Sequence, residues 1–370
     1  MADSGKKLCF VLGNYWGQCM GGAELQARYL EQEALRQGWS THYCFLSNGN
    51  DYKNHSETSL YPILQKKFWS KLGNIKYPYA GRLLQVLKQI KPGVIYQRTG
   101  FSFTGIAANY AGNNNCRFIF HIAHDEDTKS LAMPWKRPYL IPELSLMRSG
   151  IRKADLVIAQ TRFQAEELMN NYGRQALLIP NGHPVPTDCA KPVDKISVLW
   201  IANWKTIKQP ELFVKLAEKL GNRQDVRLVM LGRTGSYFEL ARRALDNQIE
   251  VMGELSNEEV NELLAGSHIL VNTSWQEGFS NTFIQAWMRR VPVVSLRVDP
   301  DKVLQQEKIG FCSGSFEKLV EDTTLLITDH QLRESMGLKA REYAIKHHSL
   351  DNMRQVIEEC NRLLETDHAE

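Results

Sequence analysis

The chain of 370 residues has no apolar run approaching the about 18 residues that a membrane-crossing helix needs. Its first residues, Met-Ala-Asp-Ser-Gly-Lys-Lys, carry charge but lack the long apolar stretch of a secretory leader, so none is expected. The seven cysteines are an odd number and contain no Cys-x-x-Cys pair, which removes the common zinc and dithiol spacings. Cys9, Cys44, Cys116 and Cys312 lie in or beside apolar runs and read as buried free thiols in a reducing cytoplasm. There is no helix-turn-helix, zinc-finger or RNP-like pattern, so a nucleic acid partner is not expected. Internal repeats and low-complexity tracts are also missing.

What is present is an ordinary globular composition, 43% hydrophobic, in a chain long enough for two domains. The net charge of +4 is unevenly placed. Residues 1–185 hold 22 Lys and Arg against 13 Asp and Glu, whereas residues 186–370 hold 23 against 28. A basic first half points to an anionic partner such as a membrane surface or a lipid phosphate. Residues 65–77 mix four lysines with Phe68, Trp69 and Tyr77, and residues 133–142 are similar. That mixture suits an anionic membrane surface, with a solvated loop or a helix packed on a sheet as the alternative.

The first half alternates strand-like and helix-like segments. Leu8–Leu12, Thr41–Leu46, Val94–Gln97, Phe118–Ala123, Leu156–Ala159 and Leu177–Pro180 read as strands. Ala23, Ala27, Leu30 and Ala34 recur at helical spacing between the first two, and Gly38 can close that helix. Pro180 to Pro192 is rich in proline and polar residues and reads as a linker. Beyond it the alternation restarts with Ser197–Ala202, Arg227–Leu231, Ile249–Met252, Ile269–Thr273 and Val293–Leu296, and the last 35 or so residues look helical. The expected class is α/β, with two Rossmann-like doubly wound domains whose ligands bind beyond the strand C-termini.

One stretch is especially informative. Glu277-Gly278-Phe279-Ser280-Asn281-Thr282 follows the apolar run Ile269–Thr273, giving strand, acidic residue, glycine turn and helix start in sequence. The first-turn N–H groups of a helix have no partners of their own, and the helix dipole favours an anion there. Gln285 also fits a capping box with Thr282. Elsewhere, Gly21-Gly22 precedes the first helix, and glycines let a backbone approach a phosphate or acceptor closely. His124-Asp125 closes an apolar strand, and Asp125-Glu126-Asp127 spells a possible metal-chelating D-x-D.

Taken together, Gly21-Gly22-Ala23-Glu24, His124-Asp125, Ala154-Asp155-Leu-Val-Ile-Ala159, Pro180-Asn181-Gly182, Lys208 and the Glu277 stretch resemble glycosyltransferase family four. The motifs occur in the family's order and cover most of the chain. The resemblance implies the GT-B fold, two Rossmann-like domains facing across a cleft. It implies an acceptor-side domain over 1–185, joined by the C-terminal helix at about 350–370, and a nucleotide-sugar domain over 190–348. It implies a retaining transferase that moves a sugar from a nucleotide sugar to a glycan or lipid-linked acceptor, as in polysaccharide synthesis. No metal cofactor is implied. The protein would be cytoplasmic and could sit peripherally on the inner face of the membrane.

Residue by residue, the resemblance assigns catalytic positions to Glu277, His124 and Lys208. Glu277 would orient the donor sugar, Lys208 would bind its phosphates and His124 would lie near the reacting sugar. Donor contacts extend over Gly21, Gly22, Asn203, Lys205, Gly278, Phe279, Ser280, Asn281 and Thr282, with Gln285 on the ribose. Two positions depart from the pattern: Asn203 stands where the family has an arginine, which Lys205 could replace, and Gln285 stands where it has a second acid. The departures leave open a catalytically weakened relative that binds a sugar nucleotide or a partner enzyme.

Overall fold

The computed structural model describes residues 6–365 apart from 20, 50–51, 55–56, 66–74, 130–135, 188–190, 193 and 222. The described residues form two compact units. One runs to Gly182 and resumes at Leu350; the other is His183–Ser349. Residues 66–74 of the lysine-rich stretch proposed for a membrane surface lie outside the described residues, as do residues 133–135, whereas Lys76 is described with its ammonium 4.2 Å from the Phe101 ring centroid. Among the described residues, no helix is long and apolar enough to cross a membrane.

The first unit is built on seven parallel strands: β1 (Lys7–Val11), β2 (Ser40–Ser47), β3 (Ser59–Leu64), β4 (Val94–Arg98), β5 (Arg117–His121), β6 (Leu156–Ala159) and β7 (Leu177–Leu178). Their order across the sheet is β3-β2-β1-β4-β5-β6-β7. The sequence reading had no strand at Ser59–Leu64, a segment that carries Pro62 and pairs at the sheet edge, where a missing N–H is tolerated. Helix Gly22–Arg36 buries Leu25, Ala27, Leu30 and Ala34, and Gly38, at φ +78°, turns the chain into β2. The C-terminal helix Asp351–Glu365 packs on it through Met353, Val356, Ile357 and Cys360 in the same core.

The second unit has six parallel strands in the order β10-β9-β8-β11-β12-β13. They are β8 (Ile196–Ile201), β9 (Val226–Leu231), β10 (Glu250–Met252), β11 (Ile269–Asn272), β12 (Val293–Ser295) and β13 (Gly310–Cys312). Their apolar runs are buried on both faces because helices cover both. The edge strand β13 was not read from the sequence, because Gly310 interrupts its short apolar run.

In each sheet the strand order reverses once, between β1 and β4 and again between β8 and β11. At such a point the loops leaving the two strands diverge to opposite faces and open a crevice for ligands. The fold therefore singles out the loops after β8 and β11 in one unit and after β1 and β4 in the other.

The segment Pro180-Asn181-Gly182 is not free linker. Gln26 holds Gly182 at both its N–H and its carbonyl, each 2.9 Å away. The Asn352 amide donates to the Pro180 carbonyl at 3.1 Å, and Arg98 bonds to the Asn181 side chain. The first unit thus ends at a fixed backbone.

Helices Ser102–Gly112 and Ile141–Lys153 touch through glycines. A Cβ on Gly150 would lie 2.3 Å from the Thr104 carbonyl, whereas one on Gly112 would meet nothing within 4 Å. Gly150→Ala should therefore destabilise the protein by about 1–3 kcal/mol through overpacking. Gly112→Ala should be neutral or stabilising by up to about 1 kcal/mol. Urea unfolding of both variants checks the contrast; equal midpoints would contradict it.

Candidate functional site

The switch point of the second sheet brings together two residues distant in sequence. Strands β8 and β11 are neighbours, with Val198 opposite Ile269 and Trp200 opposite Val271. Lys208 lies in the loop after β8, Glu277 in the loop after β11. Lys208 Nζ stands 3.0 Å from Glu277 Oε1, with the side chains only 25% and 13% exposed. The same oxygen accepts from Asn272 Nδ2 at 2.8 Å and Ser274 Oγ at 2.5 Å. Burial pushes the carboxyl up, but the Lys208 charge and the bonds from Ser274, Asn272 and Lys208 outweigh it, so Glu277 sits below its ordinary value and is ionised.

Two polar resources remain at this pair. All three contacts converge on Oε1, so among the described residues Oε2 has no hydrogen bond. The Lys208 ammonium has three N–H donors, of which Glu277 takes one. An acceptor oxygen and a cation with donors to share therefore lie side by side at the strand ends.

The pair is fixed from below by Thr273, a residue not picked out from the sequence. Its buried hydroxyl lies 2.7 Å from the Lys208 carbonyl and 3.0 Å from that of Gln209, and it accepts from Trp200 Nε1 at 2.8 Å. Gln209 has φ +48°, a strained conformation for a residue with a side chain. Thr273 thus ties the strained end of one loop to the strand that carries the other.

Helix Asn281–Trp287 begins where the sequence indicates, with Ser280 as its N-cap. Ser280 makes no side-chain cap bond; its hydroxyl lies 2.8 Å from that of Thr282. The Asn281 Oδ1 accepts from His183 Nε2 at 3.0 Å, and burial lowers His183 to about 4, so the imidazole is neutral. Phe279 packs its ring on Trp287 and His348, leaving only its backbone for a ligand.

Gln285 does not form the capping box that its spacing from Thr282 allows. The helix starts at Asn281 behind Ser280, two residues too early for Thr282 to be the cap. The Gln285 side chain instead donates to Asn257 Oδ1 at 2.9 Å and Asn261 Oδ1 at 3.1 Å, both on helix Asn257–Ala265. A cavity of about 240 Å³ lies further along this helix, lined by Asn261, Arg289 and Arg341 among others, and not by the Lys208–Glu277 pair. Asn203 is likewise engaged, its Oδ1 accepting the Arg233 backbone N–H at 3.1 Å. Lys205 is exposed at the start of the same loop.

In the first unit, Gly21 caps helix Gly22–Arg36, and the Glu24 carboxylate folds back against it. His124 follows β5. Its N–H and that of Ala123 donate to Asp127 Oδ2 at 3.1 and 3.0 Å, while Gly100 N–H donates to Oδ1 at 2.9 Å. Asp127 is thus a buried clamp between the loops after β4 and β5. Asp125 accepts from Gln164 at 2.9 Å, and burial raises its pKa. Both carboxylates of the D-x-D have internal partners. Among the described residues no group of three His, Cys, Asp or Glu is placed to hold a metal ion.

The switch point of the first sheet also carries residues missed in the sequence. Arg98 ends β4 fully buried, bonded to Tyr96, His121 and Asn181 and, among the described residues, to no carboxylate. Thr99, next to it, is a β-branched residue at φ +72°. His121, which burial and Arg98 hold well below its ordinary pKa, is neutral and structural.

Comparison with known proteins fits this geometry. Residues 20–185 match the model of Glycosyltransferase Family 4, and residues 195–329 match that of Glycosyl transferases group 1. The N-acetyl-alpha-D-glucosaminyl L-malate synthase of Bacillus anthracis is 24% identical over 152 residues, which is 39% of this chain and 39% of that protein. Anabaena HepE, solved in complex with UDP and glucose, aligns with a TM-score of 0.73 at 16% identity, covering 96% of this chain and 98% of that one. Sucrose-phosphate synthase from Thermosynechococcus elongatus aligns with a TM-score of 0.75 at 15% identity, covering 98% and 100%.

Thr273→Val keeps the shape and removes the hydroxyl. The buried Trp200 N–H then lacks an acceptor, so stability should fall by about 1–3 kcal/mol. Chemical denaturation measures the loss; an unchanged midpoint would remove Thr273 from its bracing role.

Proposed function

The chain belongs to the family-four glycosyltransferases, and from that premise we propose that it is a retaining enzyme that moves a sugar from a nucleotide-sugar donor to a glycan or lipid-linked acceptor. The observation that carries this reading is the Lys208–Glu277 pair at the switch point of the second sheet. A nucleotide sugar offers a diphosphate and a hydroxylated ring joined at one bond. A cation beside a hydroxyl acceptor matches those two parts in order.

In the proposed reaction the second unit holds the donor. Lys208 and backbone N–H groups near Asn281 and Thr282 bind the diphosphate, where negative charge grows as the bond breaks. Glu277 accepts from sugar hydroxyls through Oε2, and its contacts at Oε1 keep it ionised. Gln285 meets the ribose through its carbonyl oxygen, since its amide donates to Asn257 and Asn261. The first unit holds the acceptor, with Gly21, Gly22 and His124 on that side. The bond from the anomeric carbon to the leaving phosphate breaks. The acceptor oxygen bonds to that carbon on the same face, and its proton passes to the departing phosphate oxygen.

The test is a thermal-shift screen against UDP-, GDP- and ADP-sugars. A true donor at 100 times its dissociation constant should stabilise the fold by about 2.7 kcal/mol. Stabilisation by a sugar nucleotide without turnover of it would instead favour the weakened relative that Asn203 and Gln285 allow. No shift with any of them would count against the donor site itself.

Glu277→Gln replaces an acceptor-only group by one that also donates. Turnover should fall roughly a hundredfold, the scale of losing one aimed electrostatic partner. Wild-type turnover in this variant would rule out the assignment.

Lys208→Ala should weaken nucleotide binding and chemistry together, because the charge it faces is larger in the transition state. Binding of the bare nucleoside, which has no phosphate, should hardly change. Calorimetric titration with both ligands reads the difference, and equal losses would make Lys208 a structural residue.

A further inference from the structure

The loop that carries Glu277 also carries an exposed tryptophan. Trp275 is 56% exposed, although it lies between Ser274, which bonds to Glu277, and Glu277 itself. Single exposed apolar residues are common and usually mean nothing. Trp275 differs because it is held in place. Its backbone N–H donates to the Ile207 carbonyl at 2.8 Å, joining its main chain to the residue before Lys208. The Arg297 guanidinium stands 4.3 Å from the ring centroid, stacked over the indole. Arg297 follows β12 by two residues, so three loops at the strand ends meet at one residue, Ile207 on its backbone and Arg297 on its ring.

A rigid indole has a flat apolar face with a polar N–H at its edge. A pyranose has the complementary form, with an apolar patch of ring C–H groups and hydroxyls around the rim. The electron-rich face of an aromatic ring attracts the weakly positive C–H hydrogens. A cation on one face fixes the ring while the remainder stays open to solvent. Ile207, itself 46% exposed, extends the apolar surface beside Lys208.

We propose that the Trp275 indole is a stacking platform for a sugar ring held at the Lys208–Glu277 pair, an inference that rests on the sugar-transfer reading above. Glu277 addresses hydroxyls and Lys208 addresses phosphate, whereas Trp275 addresses the apolar face of the ring, which neither can bind. The ring belongs either to the donor or to the acceptor, and the two sources separate by experiment.

The test measures wild type, Trp275→Ala and Trp275→Phe with UDP, UDP-glucose, methyl α-glucoside and maltotriose, by calorimetry and by saturation-transfer NMR. If the donor sugar stacks, Trp275→Ala loses about tenfold in affinity for UDP-glucose while UDP is unchanged, the scale of one aromatic contact. If the acceptor sugar stacks, the loss appears with maltotriose or the glucoside and not with UDP-glucose. Either outcome supports the platform, and Trp275→Phe should keep most of the affinity. Identical affinities in wild type and Trp275→Ala overturn it, as does a parallel loss of UDP, which would show a structural role. Failure of the wild-type protein to bind UDP or UDP-glucose while maltotriose binding still depends on Trp275 would count against a uridine donor and leave the platform standing. No binding of any sugar probe by wild type overturns the platform.

Discussion

A carboxylate largely withdrawn from water has to be compensated, and the compensation of Glu277 organises the working edge of the second unit. An uncompensated buried charge costs several kcal/mol, so its partners are structural requirements as much as ligands. Asn272 supplies one from the end of β11, Ser274 another from the loop, and Lys208 the third from beyond β8. The ion therefore pulls two loops that leave neighbouring strands onto one oxygen. Thr273 works from the strand side, taking the carbonyls of Lys208 and the strained Gln209. Chemistry and local folding are linked here, because the residues that keep the acid charged also fix its position.

The first unit uses a carboxylate one strand beyond its switch point for a different end. Asp127 joins the loops after β4 and β5, as Glu277 joins those after β8 and β11. Its partners are backbone N–H groups, and they occupy both of its oxygens. Three backbone donors reach this buried acid across both oxygens, and it acts as a clamp. Glu277 gathers its partners at Oε1 alone and keeps Oε2. The number of unfilled acceptor positions, and not burial or charge, separates the structural acid from the one fit to bind.

Much of this was legible in the sequence because it is local. Strand, glycine turn and helix start occur in order around Glu277, and the helix begins at Asn281 as that punctuation implies. The alternation of the two sheets was readable for the same reason, except at the edge strands β3 and β13, where a proline and a glycine interrupt the pattern. What was not legible depends on tertiary proximity. Thr273 has no local signal for the two carbonyls and the indole it holds. Gln285 has a local signal that misleads, since its capping-box spacing loses to Asn257 and Asn261 on another helix. Arg98 directly follows the strand-like run Val94–Gln97, whose pattern does not reveal a buried cation with no carboxylate partner among the described residues.

The two departures from the family pattern share a physical character. Asn203 and Gln285 are neutral amides in places where the resemblance implies an arginine and an acid. Together they remove one positive and one negative charge, so the formal charge of the donor site is unchanged. Each amide also engages its neighbours, Asn203 through the Arg233 backbone and Gln285 through the two asparagines. On the proposed reading, losing the arginine alone would leave the diphosphate short of a counter-ion, and losing the acid alone would leave the site with surplus positive charge. Made together, they shift the electrostatic load onto Lys208 and Glu277, the two groups that the fold holds 3.0 Å apart. On the proposed reading the consequence is a site whose charge is concentrated at the bond between phosphate and sugar, with hydrogen bonding alone left to recognise the ribose end.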